Sequence, residues 1–343
     1  MNAGTIMHTP INHNSTPQVQ SQPPVRAFVS REQTVQTLKH LIRLNNEGAS
    51  LLRSSVIKGR DAMALFQTAL RSAVDLAESC QEDDLLGDCN SYVGEGERCE
   101  LSNQATATTS SGVIQDLCLL APVPIPTNNV DYNVFYFLTQ VVYLNPAGLE
   151  RAVHPPQGSH QGSHARGGCG DSGLSLRSLS RLYVAVLLLN ASLACYQLGH
   201  ACLLQPFSSA TSSYTNKAHG LFGKSMELYS QLISLTESDF FVGMKETSAT
   251  SLVSFLSLAA ANNNCLLCLE MGLSEQSRHS QSKLLSLLQS IRGAGEGSAA
   301  SAAVWNSYSI LPTGHRELIK EFLLNSTLMN VTGFHTRLAA GAA

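Results

Sequence analysis

Asparagine recurs in this chain at places where an apolar helix would ordinarily carry leucine or alanine. Asn46 stands in "LIRLNNEGASLL" (41–52), Asn190 in "LLLNASLACYQLG" (187–199) and Asn263 in "AANNNCLLCLEMG" (260–272). A carboxamide donates and accepts hydrogen bonds at once. Asparagine and glycine both weaken a helix, glycine by up to about 1 kcal/mol relative to alanine. Their return in three helices therefore needs a reason other than helix formation.

Other candidate chemistry is sparse. Cys265 and Cys268 form a C-x-x-C, the spacing that brings two thiolates together in a redox or zinc protein, yet no second C-x-x-C or H-x-x-H completes a tetrahedral site. On an apolar helix they read as small core thiols. His154, His160, His164 and Cys169 sit in the Gly/Ser/Gln-rich "HPPQGSHQGSHARGGCGDSG" (154–173) without fixed metal-ligand spacing, which fits a solvated linker. "GHRE" and "GSH" place histidine near glycine or a hydroxyl without a G-x-S-x-G elbow, and no P-loop or G-x-G-x-x-G follows a strand. "GEGE" is acidic and repels phosphate. The expectation is a chain without catalytic residues, cofactor or bound metal.

Composition narrows the class. The chain has 343 residues, 43% hydrophobic and 14% charged, enough for a core. With 22 Lys+Arg against 25 Asp+Glu the net charge is -3, and no long basic stripe offers an electrostatic driver for nucleic acid. Nine cysteines in so long a chain fit the buried thiols of a reducing compartment, so the expected location is intracellular, cytoplasmic or nuclear. Residues 1–28 carry no apolar run and read as a disordered tail rather than a signal or transit peptide. "LYVAVLLLNASLACYQLG" is interrupted by Asn190 and Gln197 and reads as shorter than the span of about 20 apolar residues that a bilayer needs. No membrane partner is expected.

The elements that would position the asparagines follow from periodicity. Val35, Leu38, Leu41, Ile42, Gly48, Leu51 and Leu52 recur near a 3.6-residue period, and "RSSVIKGRD" turns into a second helical pattern, "AMALFQTALRSAVDLAES". Residues 29–80 thus predict a helix hairpin. Residues 81–112 are a polar insert. In 113–145, "VIQDLCLL" and "VFYFLTQVVYL" flank the proline-rich "APVPIPTNNVD" and predict a β-hairpin insert with a long connection. Phe135, Tyr136 and Phe137 there read as core. Residues 146–174 are a low-complexity linker, 175–330 hold two further helix hairpins and a C-terminal cap helix, "RGAGEGSAASAA" (292–303) is a flexible stretch, and 331–343 form a tail.

Aligning the helix pairs places the asparagines in register. Asn46 lies two residues before small Gly48, Asn190 two before Ser192 and Asn263 two before Cys265. Gly199 and Gly272 lie nine residues beyond Asn190 and Asn263, where a helix would end in a left-handed cap. Ala62, Phe66 and Ala69 in "AMALFQTA" have the spacing of Ala218, Phe222 and Ser225 in "AHGLFGKS". Small, aromatic, small at i, i+4 and i+7 share one face, where the small residues admit close helix approach and the ring fills the gap.

On these residues the chain resembles the tetratricopeptide repeat (TPR). More narrowly, it is similar to the divergent TPR-like proteins abundant in diatoms, with their "NNxG", "KAxxLY" and "FxxN" segments. Here these correspond to "LNNEGASLL", "KAHGLFGKSMELY" (217–229) and "EFLLN" (321–325). The resemblance covers roughly 30–80 and 176–330. It implies a mainly α fold, a short α-solenoid of about three helix hairpins with disordered inserts and a small β-hairpin insert. Gly48, Ala62, Phe66, Ala69, Ser192, Ala218, Phe222, Ser225 and Cys265 form its repeat signature. The chain departs from the pattern in three ways: the copies are not at the regular period of about 34 residues, the proline after the second helix is missing, and "SRHSQSKLLSLLQS" keeps Leu284, Leu287 and Leu288 but lacks the aromatic.

The resemblance also implies a function. In peptide-binding members the residue two before the small one faces the groove, which makes Asn46, Asn190 and Asn263 candidate peptide-binding residues of a non-enzymatic scaffold with a protein or peptide partner. The cations that clamp a terminal carboxylate in chaperone-tail binders are replaced by Asn45, Ala49, Ala259 and Asn263, so the ligand implied is an internal peptide segment. Bridging of neighbouring helices by the same amides is the competing assignment for the row. A redox- or metal-responsive regulator using Cys265 and Cys268 is the alternative function.

Overall fold

Ser30 starts the first helix because its side chain can replace a missing backbone acceptor. Its Oγ accepts from the Gln33 N–H at 3.2 Å while Gln33 Oε1 accepts from the Ser30 N–H at 3.0 Å, a reciprocal capping box. A computed structural model of the chain describes residues 30–55, 58–79, 114–117, 123–126, 134–153, 176–204, 211–238, 240, 247–293 and 313–332. The expected tail 1–28, insert 81–112, linker residues 154–174 with His154, His160, His164 and Cys169, stretch 294–303 and tail residues 333–343 lie outside the described residues.

The described chain is mainly helical. Helices α1 (Arg31–Ser54), α2 (Gly59–Ser79), α3 (Pro146–Val153), α4 (Leu176–Leu203), α5 (Thr211–Glu237), α6 (Thr247–Glu270), α7 (Ser274–Gly293) and α8 (Thr313–Thr332) accompany four short strands. The strands are β1 (Ile114–Leu117), β2 (Val123–Pro126), β3 (Val134–Phe137) and β4 (Val142–Leu144). Residues 146–153, placed in the linker by the sequence, form α3, which Lys39–Glu150 ties to α1 at 3.2 Å. Residues 331 and 332, placed in the tail by the sequence, belong to α8, which runs through Thr332.

Two layers arise from which helices touch. Helices α1, α4, α6 and α8 contact one another in turn, and α2, α5 and α7 each pack against two consecutive members of that row. Helices α4 and α6 therefore have neighbours on every side, and they are apolar all round, with an unbroken buried stretch from Ser178 to Tyr196 in α4. Contrary to the sequence reading, α4 at 28 residues is long and apolar enough to cross a membrane by length and composition, as is Leu252–Glu270 of α6. The apolar windows of the two are 89% and 94% buried against the rest of the chain.

Close helix approach comes from the small and aromatic positions. Ala62, Phe66, Ala69, Ala218 and Ser225 are fully buried and Phe222 nearly so. A methyl added to Gly48 would lie 2.8 Å from the Phe66 ring, and one on Gly199 would lie 2.4 Å from the Phe222 ring. Gly199 is thus a contact residue inside α4, which continues to Leu203, and not the helix end expected of it. Gly272 does end α6: its φ is 71°, the Leu273 N–H donates to the Cys268 carbonyl at 2.8 Å and its own N–H to the Leu269 carbonyl at 3.0 Å. Ser225 Oγ donates to the Ser192 carbonyl at 2.9 Å, and Ser277 Oγ to the Cys265 carbonyl at 3.1 Å. The small residues of the last two pairs therefore meet through equivalent hydroxyl bonds.

The strands pair as two nested antiparallel ladders. The segments "VIQDLCLL" and "VFYFLTQVVYL" meet where β1 pairs with β4, Ile114 opposite Leu144 and Leu117 opposite Val142. The proline-rich connection, read from sequence as a loop, itself supplies β2, which pairs with β3 from Val123 opposite Phe137 to Pro126 opposite Val134. Pro124 faces Tyr136, whose N–H and C=O are bonded to Asn325 on the other side. The ladder bonds to β2 must then be carried by Phe135 and Phe137, which is why proline at 124 and 126 costs no ladder donor.

Phe66→Ala and Phe222→Ala are each expected to cost about 3–5 kcal/mol, the range for a buried aromatic. Chemical denaturation measures it, and a loss below about 1 kcal/mol would contradict the packing described.

Candidate functional site

The row of neighbouring helices α1, α4, α6 and α8 presents one face to residues 134–144, and contacts between these helices and the strands are made to β3 and β4. Onto that face each helix projects an asparagine. Asn46 accepts from the Leu144 N–H at 2.8 Å and donates to the Leu144 carbonyl at 2.7 Å. Asn190 does the same for Val142, at 2.8 Å for both bonds. Asn263 holds Leu138 at 2.9 and 2.7 Å, and Asn325 holds Tyr136 at 2.9 and 2.8 Å. Each carboxamide thus meets the donor and the acceptor of one residue, the pattern that a neighbouring strand would offer. The two opposed demands also fix which way each amide points.

The row is braced sideways. Asn45 Oδ1 accepts from Asn190 Nδ2 at 2.8 Å, and Asn45 Nδ2 donates to the Val142 carbonyl at 3.0 Å and to Asn46 Oδ1 at 3.1 Å. Asn262 Oδ1 accepts from Asn325 Nδ2 at 2.7 Å, and Asn262 Nδ2 donates to the Tyr136 carbonyl at 3.0 Å and to Asn263 Oδ1 at 3.3 Å. Tyr229 Oη takes a bond from Asn263 Nδ2 at 3.1 Å. Between the two braced groups, Gln197 Nε2 donates to the Thr139 carbonyl at 3.0 Å. Asn45, Asn190, Asn262, Asn263 and Asn325 are fully buried and Asn46 partly so.

Apolar contacts complete the grip. Phe135, Phe137, Leu138, Val142 and Leu144 are all 2% exposed or less. Phe137 stacks on Tyr196 with centroids 4.1 Å apart, and His200 meets both Tyr196 and Phe222 edge-on. Expectation and structure agree that Phe135 and Phe137 are core; Tyr136 is only half-buried.

The sequence-selected residues divide cleanly. Asn46, Asn190 and Asn263 converge on one extended segment of backbone, and Asn190 and Asn263 also touch neighbouring helices through Asn45 and Tyr229. The segment is residues 136–144 of the chain itself. Gly48, Ala62, Phe66, Ala69, Ser192, Ala218, Phe222, Ser225 and Cys265 serve interhelical packing instead. Asn325 belongs to the "EFLLN" segment, and no spacing within one helix pair relates it to the other three. Asn45 and Asn262 are the first members of the "NN" doublets, whose braces no single-helix pattern reveals.

The thiol pair is divided by its surroundings. Cys265 Sγ faces the Ser277 carbonyl at 3.3 Å and Met329 Sδ at 3.3 Å, while Cys268 Sγ faces Met226 Sδ at 3.5 Å. Burial pushes the Cys265 thiol up to about 12 and the Cys268 thiol up to about 11, so both are held protonated at neutral pH, opposite to what metal binding or nucleophilic attack requires. Among the described residues no group of three His, Cys, Asp or Glu side chains is placed to hold a metal ion.

Asn190→Ala is expected to lower stability by about 2–4 kcal/mol, since it strands the Val142 N–H and Asn45 Oδ1 in a buried place and leaves the Val142 carbonyl only its bond from Asn45. Asn46→Ala, at a half-buried position, is expected to cost less; equal losses in denaturant titrations would contradict the ordering. Because the folded Cys265 pKa lies above the unfolded value, stability is intact below about pH 9 and falls as pH rises toward 12. Cys265→Ser, which has no thiol to titrate, should flatten part of that alkaline decline in melting temperature. Comparison with known proteins found no family model, no curated protein and no solved structure that matches this chain.

Proposed function

We propose that this chain is a non-enzymatic protein-interaction scaffold: a short α-solenoid of about three TPR-like helix hairpins with a cap helix, whose asparagine row takes up an extended polypeptide by its backbone. One observation carries this reading, the pairing of four successive carboxamides with both polar groups of Tyr136, Leu138, Val142 and Leu144. Backbone pairing of this kind gives affinity, and side-chain pockets beside it give selectivity. In this state the occupant is the chain's own segment, and a partner segment takes its place. The redox- or metal-linked alternative draws no support from thiols that burial holds protonated.

A second reading is favoured by the depth at which Phe135, Phe137, Leu138, Val142 and Leu144 are buried: the segment is a permanent part of the core and the row is structural. Native-state hydrogen exchange separates the two. Under the interaction reading the amides of Tyr136, Leu138, Val142 and Leu144 exchange through an opening that costs less than global unfolding. Exchange of these four only with the slowest amides of α4 would overturn it.

A further inference from the structure

The asparagine row consists of two copies of one device. In the first, the paired residues Asn45 and Asn46 of α1 join Asn190 of the next helix in the row; in the second, Asn262 and Asn263 of α6 join Asn325 of the next. Every bond among these asparagines and from them to the segment has its counterpart; the bond from Asn263 to Tyr229 is the one addition, in the second copy. The second asparagine of each doublet holds one residue by N–H and C=O, as Asn46 holds Leu144 and Asn263 holds Leu138. The lone asparagine holds the residue two earlier, as Asn190 holds Val142 and Asn325 holds Tyr136. The first asparagine of the doublet donates to that same carbonyl and accepts from the lone asparagine.

The residues gripped are copies as well. Tyr136-Phe137-Leu138 and Val142-Tyr143-Leu144 both read apolar, aromatic, leucine, six residues apart. A duplicated site matched to a duplicated sequence is what selection by the site produces. We infer that each three-asparagine clamp is a separate site for an extended apolar-aromatic-leucine tripeptide, that residues 136–144 fill both sites in cis, and that the partners which displace them carry this tripeptide twice at six-residue spacing.

The chemistry defines the ligand further. Its first and third residues each give an N–H to a clamp, so proline is excluded from both. The third side chain, Leu138 at 2% and Leu144 at 1% exposure, is enclosed in both copies. The second is aromatic, with Phe137 stacked on Tyr196. The first varies from half-buried tyrosine to buried valine and is the least restricted. The clamps are neutral carboxamides, so the interaction needs no charged partner. An in-cis occupant lowers apparent affinity by the fraction of time it leaves its site, which makes residues 136–144 an autoinhibitory segment.

This inference rests on the interaction reading above, and the test separates the two. The full chain and its Leu138→Pro/Leu144→Pro variant, which removes one clamped N–H from each copy, are titrated with a fluorescent peptide of residues 133–146 and with a scrambled peptide of the same composition. The native-order peptide is expected to bind the variant about 10-fold or more tighter than it binds the wild type, and to raise the variant's melting temperature. Adding Asn263→Ala to the variant should undo most of that gain. Should the variant lose its helical circular dichroism, the native-order peptide restores it if the sites are exchangeable. A folded variant that ignores the peptide, or an unfolded one that the peptide does not restore, overturns the proposal. Equal binding of the scrambled peptide overturns the tripeptide rule while leaving the row as a reader of backbone.

Discussion

The side-chain amide of asparagine is a peptide group carried on a helix, and the fold depends on four of them standing in line. An extended segment buried among helices needs a partner for every N–H and C=O. Here the even-numbered residues Tyr136, Leu138, Val142 and Leu144 turn theirs toward the asparagines, and Phe135, Phe137 and Tyr143 turn theirs toward β2 and β1. The row of carboxamides takes the place of a strand on one edge, so the segment is paired on both sides although only one side is a β-ladder. An unpaired edge of this length, with aromatic and aliphatic side chains, would invite aggregation.

The spacing of the helices has to suit that of the strand. From Tyr136 to Leu144 an extended chain advances about 26 Å, which averages about 9 Å over the three unequal steps α8 to α6 to α4 to α1, a mean that matches the usual interaxial distance of packed helices. Close packing of the helix pairs therefore sets the pitch at which the asparagines fall. Gly48 against Phe66 and Gly199 against Phe222 hold those pairs at a separation that one added methyl would disturb. The step from Leu138 to Val142 is twice as long in residues as the others, and Gln197 supplies a bond to Thr139 within it.

Burial makes the network strong and unforgiving. In a low-dielectric interior each satisfied amide bond counts for more than in water, and each unsatisfied one costs more. The braces between Asn45 and Asn190 and between Asn262 and Asn325 lock the side-chain torsions of residues on different helices. Because carboxamides do not titrate, the grip itself is independent of pH over the physiological range. The same asparagines explain how α4 and α6, apolar enough in composition to suit a bilayer, are used instead as the walls of a polar seam.

The positions of Asn46, Asn190 and Asn263, their offset from Gly48, Ser192 and Cys265, and the face shared by Ala62, Phe66 and Ala69 were legible in the sequence, because helical periodicity relates residues within one helix or one helix pair. The mainly helical class followed from the same periodicity. What the asparagines hold was not legible. A carboxamide has the same donors and acceptor whichever backbone it meets, and the backbone here is 48 residues away for Asn190, 98 for Asn46, 125 for Asn263 and 189 for Asn325. Gly199 looked like a helix end because local sequence does not reveal the Phe222 ring that needs its missing side chain. Residues 123–126 looked like a loop because proline excludes a strand unless its neighbour's N–H and C=O are engaged elsewhere, as those of Tyr136 are by Asn325. Sequence by itself determined which residues share a helix face; only tertiary structure decided which segment that face would close upon, because that choice is made by contacts between parts of the chain that no local period connects.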